Sequence, residues 1–239
     1  MAQPAARWAV ISSGKARDMP RPPTGTTSRS VAAPRTSTSR PADSGLSLAK
    51  PEVVLLRHGE TAWSRDGRHT GKTDIPLTQA GRRQAKALGP ELKPWKFALV
   101  LTSPLQRAAE TCRLAGYGKR AKTRQELMEW DYGRYEGMTT KQITGTRPDW
   151  SLWRDGAPGG EKAIDVGRRV DRVIAEIRAT KGNVLIFAHG HVLRVLTARW
   201  LGEPPATGRH YLLQTASLCV LGYERTDPVI RRWNQPPRA

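Results

Sequence analysis

The chain is poor in cysteine, in phenylalanine, in acidic residues and in long apolar runs. Its two cysteines, Cys112 and Cys219, supply neither a disulfide framework nor a CxxC metal pair, and so point to a reducing compartment. No apolar stretch approaches the ~18–20 residues that a membrane span needs. The longest runs, near Val53–Leu56 and Val184–Ala188, are strand-sized. A secretory leader is not expected either, because "WAVI" is the only apolar run near the start. Acidic residues number 21 against 40 Lys and Arg, a net charge of +19. That excess favours anionic partners: nucleic acid, an acidic membrane or phosphorylated small molecules. Hydrophobic residues make up 38% of the 239, enough for one packed domain with a tail.

Residues 1–50 differ in texture from the rest. The stretch "RPPTGTTSRSVAAPRTSTSRPADSG" is rich in Ser, Thr, Pro and Arg, and it cannot bury enough surface to offset its ordering entropy. The expectation is a disordered basic tail or a targeting segment, with an early start codon as the third reading. A cytoplasmic location is expected, or an organelle if the segment is a transit peptide.

Residues 51–235 read as one α/β domain. "EVVLL", "FALVLTS" and "NVLIFA" have the continuous apolarity of strands buried on both faces. Between them lie helical patterns. Thr78 caps a helix with Gly81, Ala85, Leu88 and Leu92 on its inner face. "SPLQ" predicts a second helix start, with Ser103 as N-cap, Pro104 first and Gln106 closing a capping box. Val166, Val170, Val173, Ile174 and Ile177 line a third helix, and "HVLRVLTARWLG" is a fourth, stopped at Gly202. Tyr211–Tyr223 and Pro228–Trp233 are expected as closing strands. The alternation predicts a three-layer α/β fold, with a largely parallel central sheet flanked by helices.

Two of the five histidines, His58 and His189, follow apolar strands directly and precede glycine. Open α/β sheets bind ligands at the carboxyl ends of their strands, so Arg57-His58-Gly59 and His189-Gly190-His191 are expected to open into one crevice. Arg107, just beyond another strand end, would add a guanidinium fork suited to phosphate. His189 and His191 raise the question of a metal. There is no HExxH, however, and Arg57 would set a fixed cation beside any ion bound by His58. The expectation is no metal and no cofactor.

Taken together, "LLRHGETAWSRDGRHTGKTDIPLT" (55–78), "LTSPLQRAAET" (101–111), "EWDYGRYEG" (129–137), "GGE" (159–161) and "FAHGHVLR" (187–194) resemble the histidine phosphatase superfamily, which has the phosphoglycerate mutase-like fold. Within it they look most like broad-specificity phosphatases, including sedoheptulose bisphosphatase. The resemblance implies a metal-independent phosphoric monoester hydrolase of the histidine acid phosphatase type, acting on sugar phosphates or bisphosphates. His58 would be the nucleophile that forms a phosphohistidine. Arg57, Arg107 and His189 would hold the phosphate oxygens, and Glu129 would be the general acid and base. Thr61, Ser64, Thr70, Gly71, Tyr132, Gly190 and His191 match substrate-side positions. Trp150, Trp153 and Arg154 are candidates for shaping specificity, and Lys162 is read as facing solvent. A phosphoglycerate mutase is the alternative, although mutases usually carry His-Gly-Asn where this chain has His189-Gly190-His191. A non-catalytic scaffold of the same fold is the alternative from another class. The expected partner is a phosphorylated small molecule rather than nucleic acid or membrane. The oligomeric state is left open, with a homodimer among the choices.

Overall fold

The structure, a computed structural model, describes residues 50–237. The expectations for residues 1–49 therefore lie outside the described residues. In chain order the elements are β1 (Val53–Arg57), α1 (Ala62–Arg65), α2 (Gln79–Leu92), β2 (Phe97–Thr102), α3 (Gln106–Leu114), β3 (Lys122–Thr123), α4 (Thr140–Thr146), α5 (Leu152–Asp155), α6 (Ala163–Ala179), β4 (Asn183–Ala188), α7 (Gly190–Trp200), β5 (Leu218–Glu224) and β6 (Asp227–Gln235).

The six strands form one sheet in the order β3-β2-β4-β1-β5-β6. β1, β2, β3 and β4 pair in parallel, while β5 and β6 add antiparallel at one side. Tyr211–Ser217, expected as part of a closing strand, is instead a short 3-10 turn end and a loop that enters β5 at Leu218.

The pleat explains the uninterrupted apolar runs. Val53 and Leu55 of β1, with Val184 and Ile186 of β4, face a core shared with Val166, Val170 and Val173 of α6 and Leu193 of α7. Val54, Leu56, Leu185 and Phe187 face the opposite way, onto Leu88 and Leu92 of α2 and Cys112 of α3. A strand covered by helices on both faces has no solvent side on which to place polar residues. The α2 face predicted from sequence is buried at Gly81, Ala85, Leu88 and Leu92, and Thr78 Oγ1 accepts from Gly81 N as its cap.

The predicted capping box at Ser103 does not form. α3 starts at Gln106, and its N-terminal N–H is satisfied by Asp74 Oδ1 from a separate loop at 2.9 Å. Ser103 prolongs β2 instead, its N–H bonding to Phe187 O at 2.9 Å, while its hydroxyl accepts from Leu105 N at 3.3 Å and meets a histidine. No helix among the described residues is long and apolar enough to cross a membrane.

Candidate active site

β1 and β4 run side by side to the same edge of the sheet, where their pairing continues through His58 N to Ala188 O at 3.0 Å. The chain must then leave the sheet at once, because the start of α2 lies against it. A Cβ on Gly59 would sit 2.4 Å from Gly81 O, so only glycine passes there. Gly190 plays the same part after β4: its absent side chain leaves room for the Arg57 guanidinium, which a Cβ would meet at 3.3 Å.

These turns bring His58 and His189 together, with ring centroids 5.1 Å apart. His58 Nδ1 bonds Gly59 O at 2.7 Å. A carbonyl only accepts, so the proton sits on Nδ1 and Nε2 keeps its lone pair. Burial, and then the charges of Arg57 and Arg107, hold the His58 pKa well below its ordinary 6.5. The resting ring is therefore neutral and has a free basic nitrogen. His189 is held well below the same value by burial and by Arg107. Its Nε2 meets Ser103 Oγ at 2.7 Å, and its Nδ1 accepts from Arg107 Nε at 3.1 Å.

The two arginines are engaged differently. Arg107, fully buried, also donates to Thr73 O (3.0 Å), Thr70 O (3.0 Å) and Gly71 O (2.8 Å). Much of the fork expected to meet phosphate thus tethers the 70–73 loop, and one N–H on Nη1 remains. Arg57 Nη1 donates to Leu213 O at 2.6 Å. Its Nε is buried with no partner, the one such side-chain atom among the described residues. An orphaned guanidinium N–H beside a neutral imidazole is costly unless an anion completes it.

Glu129 arrives from the loop between β3 and α4. Its Oε1 accepts from Trp130 N and Val192 N, and its Oε2 from His191 N, each at 2.9 Å. The carboxylate thereby caps α7, whose own N-cap residue, His189, makes no side-chain bond to the helix. Tyr132 Oη and His191 Nδ1 share a hydrogen bond of 2.7 Å, and burial raises the phenol and lowers the imidazole, so both are neutral. Burial lowers His69 to about 4.

A cavity of about 250 Å³ collects His58, Arg57, Glu129, Tyr132, Gly190 and His191, together with Ser64 and Thr70. Among the other predicted residues, Arg107 and His189 are wholly buried and do not reach its wall. Thr61 caps α1 in a reciprocal box with Ser64. Gly71 lies where a Cβ would meet Trp130 O at 2.5 Å. Trp150 is buried and bonds Gly156 O, and Trp153 lies under Arg194. Arg154 is exposed and pairs with Asp155, and Lys162 is exposed as expected. The same wall carries Arg68, His69, Thr140, Arg194 and Leu213, which sequence reasoning missed as site residues. His69 and Arg194 had a signal, since they lie inside the two histidine motifs. Leu213 had none, because only its carbonyl matters to Arg57.

Residues 53–236 match the histidine phosphatase superfamily (branch 1). The chain belongs to that superfamily. It is 42% identical over 176 residues to an acid phosphatase of Mycobacterium tuberculosis, covering 72% of this chain and 86% of that one. To the sedoheptulose 1,7-bisphosphatase of Saccharomyces cerevisiae it is 36% identical over 184 residues, covering 64% and 68%. Among solved structures, the product of an open reading frame of Mycobacterium tuberculosis superposes with a TM-score of 0.75 at 38% identity, covering 79% of this chain and 99% of that one. A mycobacterial glucosyl-3-phosphoglycerate phosphatase complexed with VO3 superposes at 0.69 with 30% identity, covering 77% and 99%. As a histidine phosphatase the protein is a hydrolase of phosphate esters.

Proposed function

We propose that this histidine phosphatase hydrolyses small phosphate monoesters, sugar phosphates or bisphosphates among them, without a metal and through a phosphohistidine on His58. The observation that carries the reading is the neutral His58 ring, its Nε2 lone pair unengaged, beside an Arg57 Nε–H that has no partner. In the first step Nε2 bonds to phosphorus as the ester P–O bond breaks, and Glu129 in its acid form gives its proton to the leaving alkoxide. In the second, the Glu129 carboxylate takes a proton from water, whose oxygen bonds to phosphorus as the P–N bond breaks. Arg57, on the cavity wall, takes non-bridging oxygens, and Arg107, buried behind that wall, adds its positive charge. Phosphoryl transfer depends mostly on such positioning and charge neutralisation. His189, both nitrogens engaged, orients Arg107. Gly190 makes room for Arg57, while Ser64, Thr70, Tyr132 and His191 line the leaving-group side.

The acid phosphatase and sedoheptulose bisphosphatase among its relatives support hydrolysis of metabolite esters, as does the histidine acid phosphatase pattern of nucleophile, arginines and carboxylate. Two buried, unpaired cysteines suit a reducing cytoplasm. The test is a panel of phosphate monoesters hydrolysed by wild type and by His58→Ala in parallel, with and without EDTA. The wild type is expected to be indifferent to chelation and to yield a base-stable, acid-labile phosphoprotein. His58→Ala is expected to show neither turnover nor label. Residual turnover in that variant, or loss of wild-type activity on chelation, sinks the reading. Mutase relatives exist at 33% identity, and stimulation by a bisphosphoglycerate primer would favour their chemistry instead.

A further inference from the structure

Glu129 is fixed in front by α7, whose N–H groups hold its carboxylate. What fixes the chain that carries it lies behind, on α6 and the loop that leads into it. Arg169 of that helix donates through Nη1 to Glu126 O and to Met128 O, both at 2.6 Å. Its Nε and Nη2 make a bidentate pair with Glu161 at 2.8 and 3.1 Å. Glu161 in turn grips the other side of Glu129. Its Oε2 accepts from Asp131 N, its carbonyl accepts from Trp130 Nε1, and its N–H donates to Asp131 O, all at 2.9 Å. Residue 128 is thus held by its carbonyl and residue 131 by both its N–H and its carbonyl, with Glu129 between them. The ion pair is largely sheltered, with Arg169 12% and Glu161 22% exposed, so solvent screens it less than a surface pair. Neither side chain reaches the wall of the substrate cavity; both line a separate hollow of about 220 Å³ that touches Glu129 from the rear.

We propose that the Arg169–Glu161 pair is a positioning device for proton transfer by Glu129, setting the reach of the carboxyl toward the leaving oxygen. This rests on the reading of Glu129 as general acid. The physical case is that general acid catalysis is steep in geometry: the donor must stand within hydrogen-bond distance of the oxygen it protonates, and a displacement of about 1 Å costs on the order of 10²-fold. Two carboxylate oxygens pinned on α7 leave the carboxyl group one freedom, the position of its backbone, and the pair of Arg169 on α6 with Glu161 just before that helix removes it. A bidentate guanidinium suits this use because its fork fixes direction as well as distance.

The experiment uses leaving-group chemistry. A 4-nitrophenolate leaves without a proton, whereas the alkoxide of glycerol 2-phosphate needs one. Values of kcat/KM for 4-nitrophenyl phosphate and glycerol 2-phosphate are measured for wild type, Glu129→Gln, Arg169→Ala, Arg169→Lys and Glu161→Gln, with melting curves for each. Glu129→Gln calibrates the reading it rests on: a loss confined to the alkyl ester, ~10²-fold or more, shows the general acid, and equal losses on both esters overturn that role. Given that calibration, Arg169→Ala is expected to lose ~10-fold or more on the alkyl ester and to stay within about threefold on the aryl ester, with Lys recovering part. Equal losses on both substrates in a folded Arg169→Ala, or none, overturn the proposal. Where Arg169→Ala does not fold, Glu161→Gln decides. It keeps the size of the side chain but sets an amide N–H₂ against Arg169 or Asp131 N, so the same selective loss is expected and its absence is fatal.

Discussion

At the scale of single residues, the site is a set of histidines kept from ionising. His58, His189 and His191 are held well below 6.5 chiefly by burial, and His69 falls to about 4 for the same reason. The sign of the linkage follows directly. Above pH 6.5 these rings are neutral in both folded and unfolded chains and contribute no difference. Below it the unfolded chain takes up protons that the folded chain refuses, so stability falls as pH falls. For His69 the loss accumulates between 6.5 and about 4. The melting temperature is therefore expected to drop steadily over that interval, and His69→Asn is expected to flatten the slope. An unchanged slope in that variant would show that His69 titrates as freely when folded as when unfolded.

At the scale of elements, the turn after β1 and the start of α2 share one narrow contact. A Cβ on Gly81 would meet Glu60 O at 2.1 Å, and one on Gly59 would meet Gly81 O at 2.4 Å. Both neighbours are backbone and cannot rotate aside. Gly81→Ala is thus expected to destabilise the fold by ~1–3 kcal/mol despite the better helix propensity of alanine. Its denaturant midpoint would report this, and a neutral or raised midpoint would refute it. Helices α3 and α7, which open toward the site, also depend on distant partners. Asp74 meets the N-terminal N–H of the first, and Glu129 those of the second. Burying a carboxylate at the start of α7 therefore serves the helix while it places Glu129 on the cavity wall.

At the scale of the whole molecule, the chain carries a strong excess of one sign, 40 basic residues against 21 acidic ones, and with it a positive field. Such a field raises the encounter rate of anionic substrates and is screened by salt. The KM for a phosphate monoester is expected to rise several-fold between about 10 and 150 mM ionic strength, as the screening length shrinks from about 30 to 8 Å. A KM flat over that range would show that the excess positive charge plays no part in capture. The three layers are equally a whole-molecule property: the two cores meet only through the sheet, and the site lies where β1 and β4 end together.

Much of this was legible in the sequence. Strands buried on both faces must be apolar throughout, so "VVLL" and "NVLIFA" announced themselves, and a histidine followed by glycine at such a strand end marks an abrupt exit from the sheet. His58, His189 and Arg57 could be found because their spacing from those strands is local. Interactions that close over long separations could not. Ser103 looked like a helix cap and became the partner of His189, because Asp74 reached α3 first. Arg107 looked like an open fork and is largely spent on the carbonyls of residues 70, 71 and 73. Leu213 and Thr140, outside the quoted motifs, entered the cavity wall only through folding. Periodicity determined the architecture, and strand-end chemistry pointed to His58 and Arg57 at the edge where β1 and β4 end. Which N–H groups stayed free, and how firmly Glu129 is held, was decided by tertiary structure, because hydrogen bonds are shared among groups that meet only when the chain is folded.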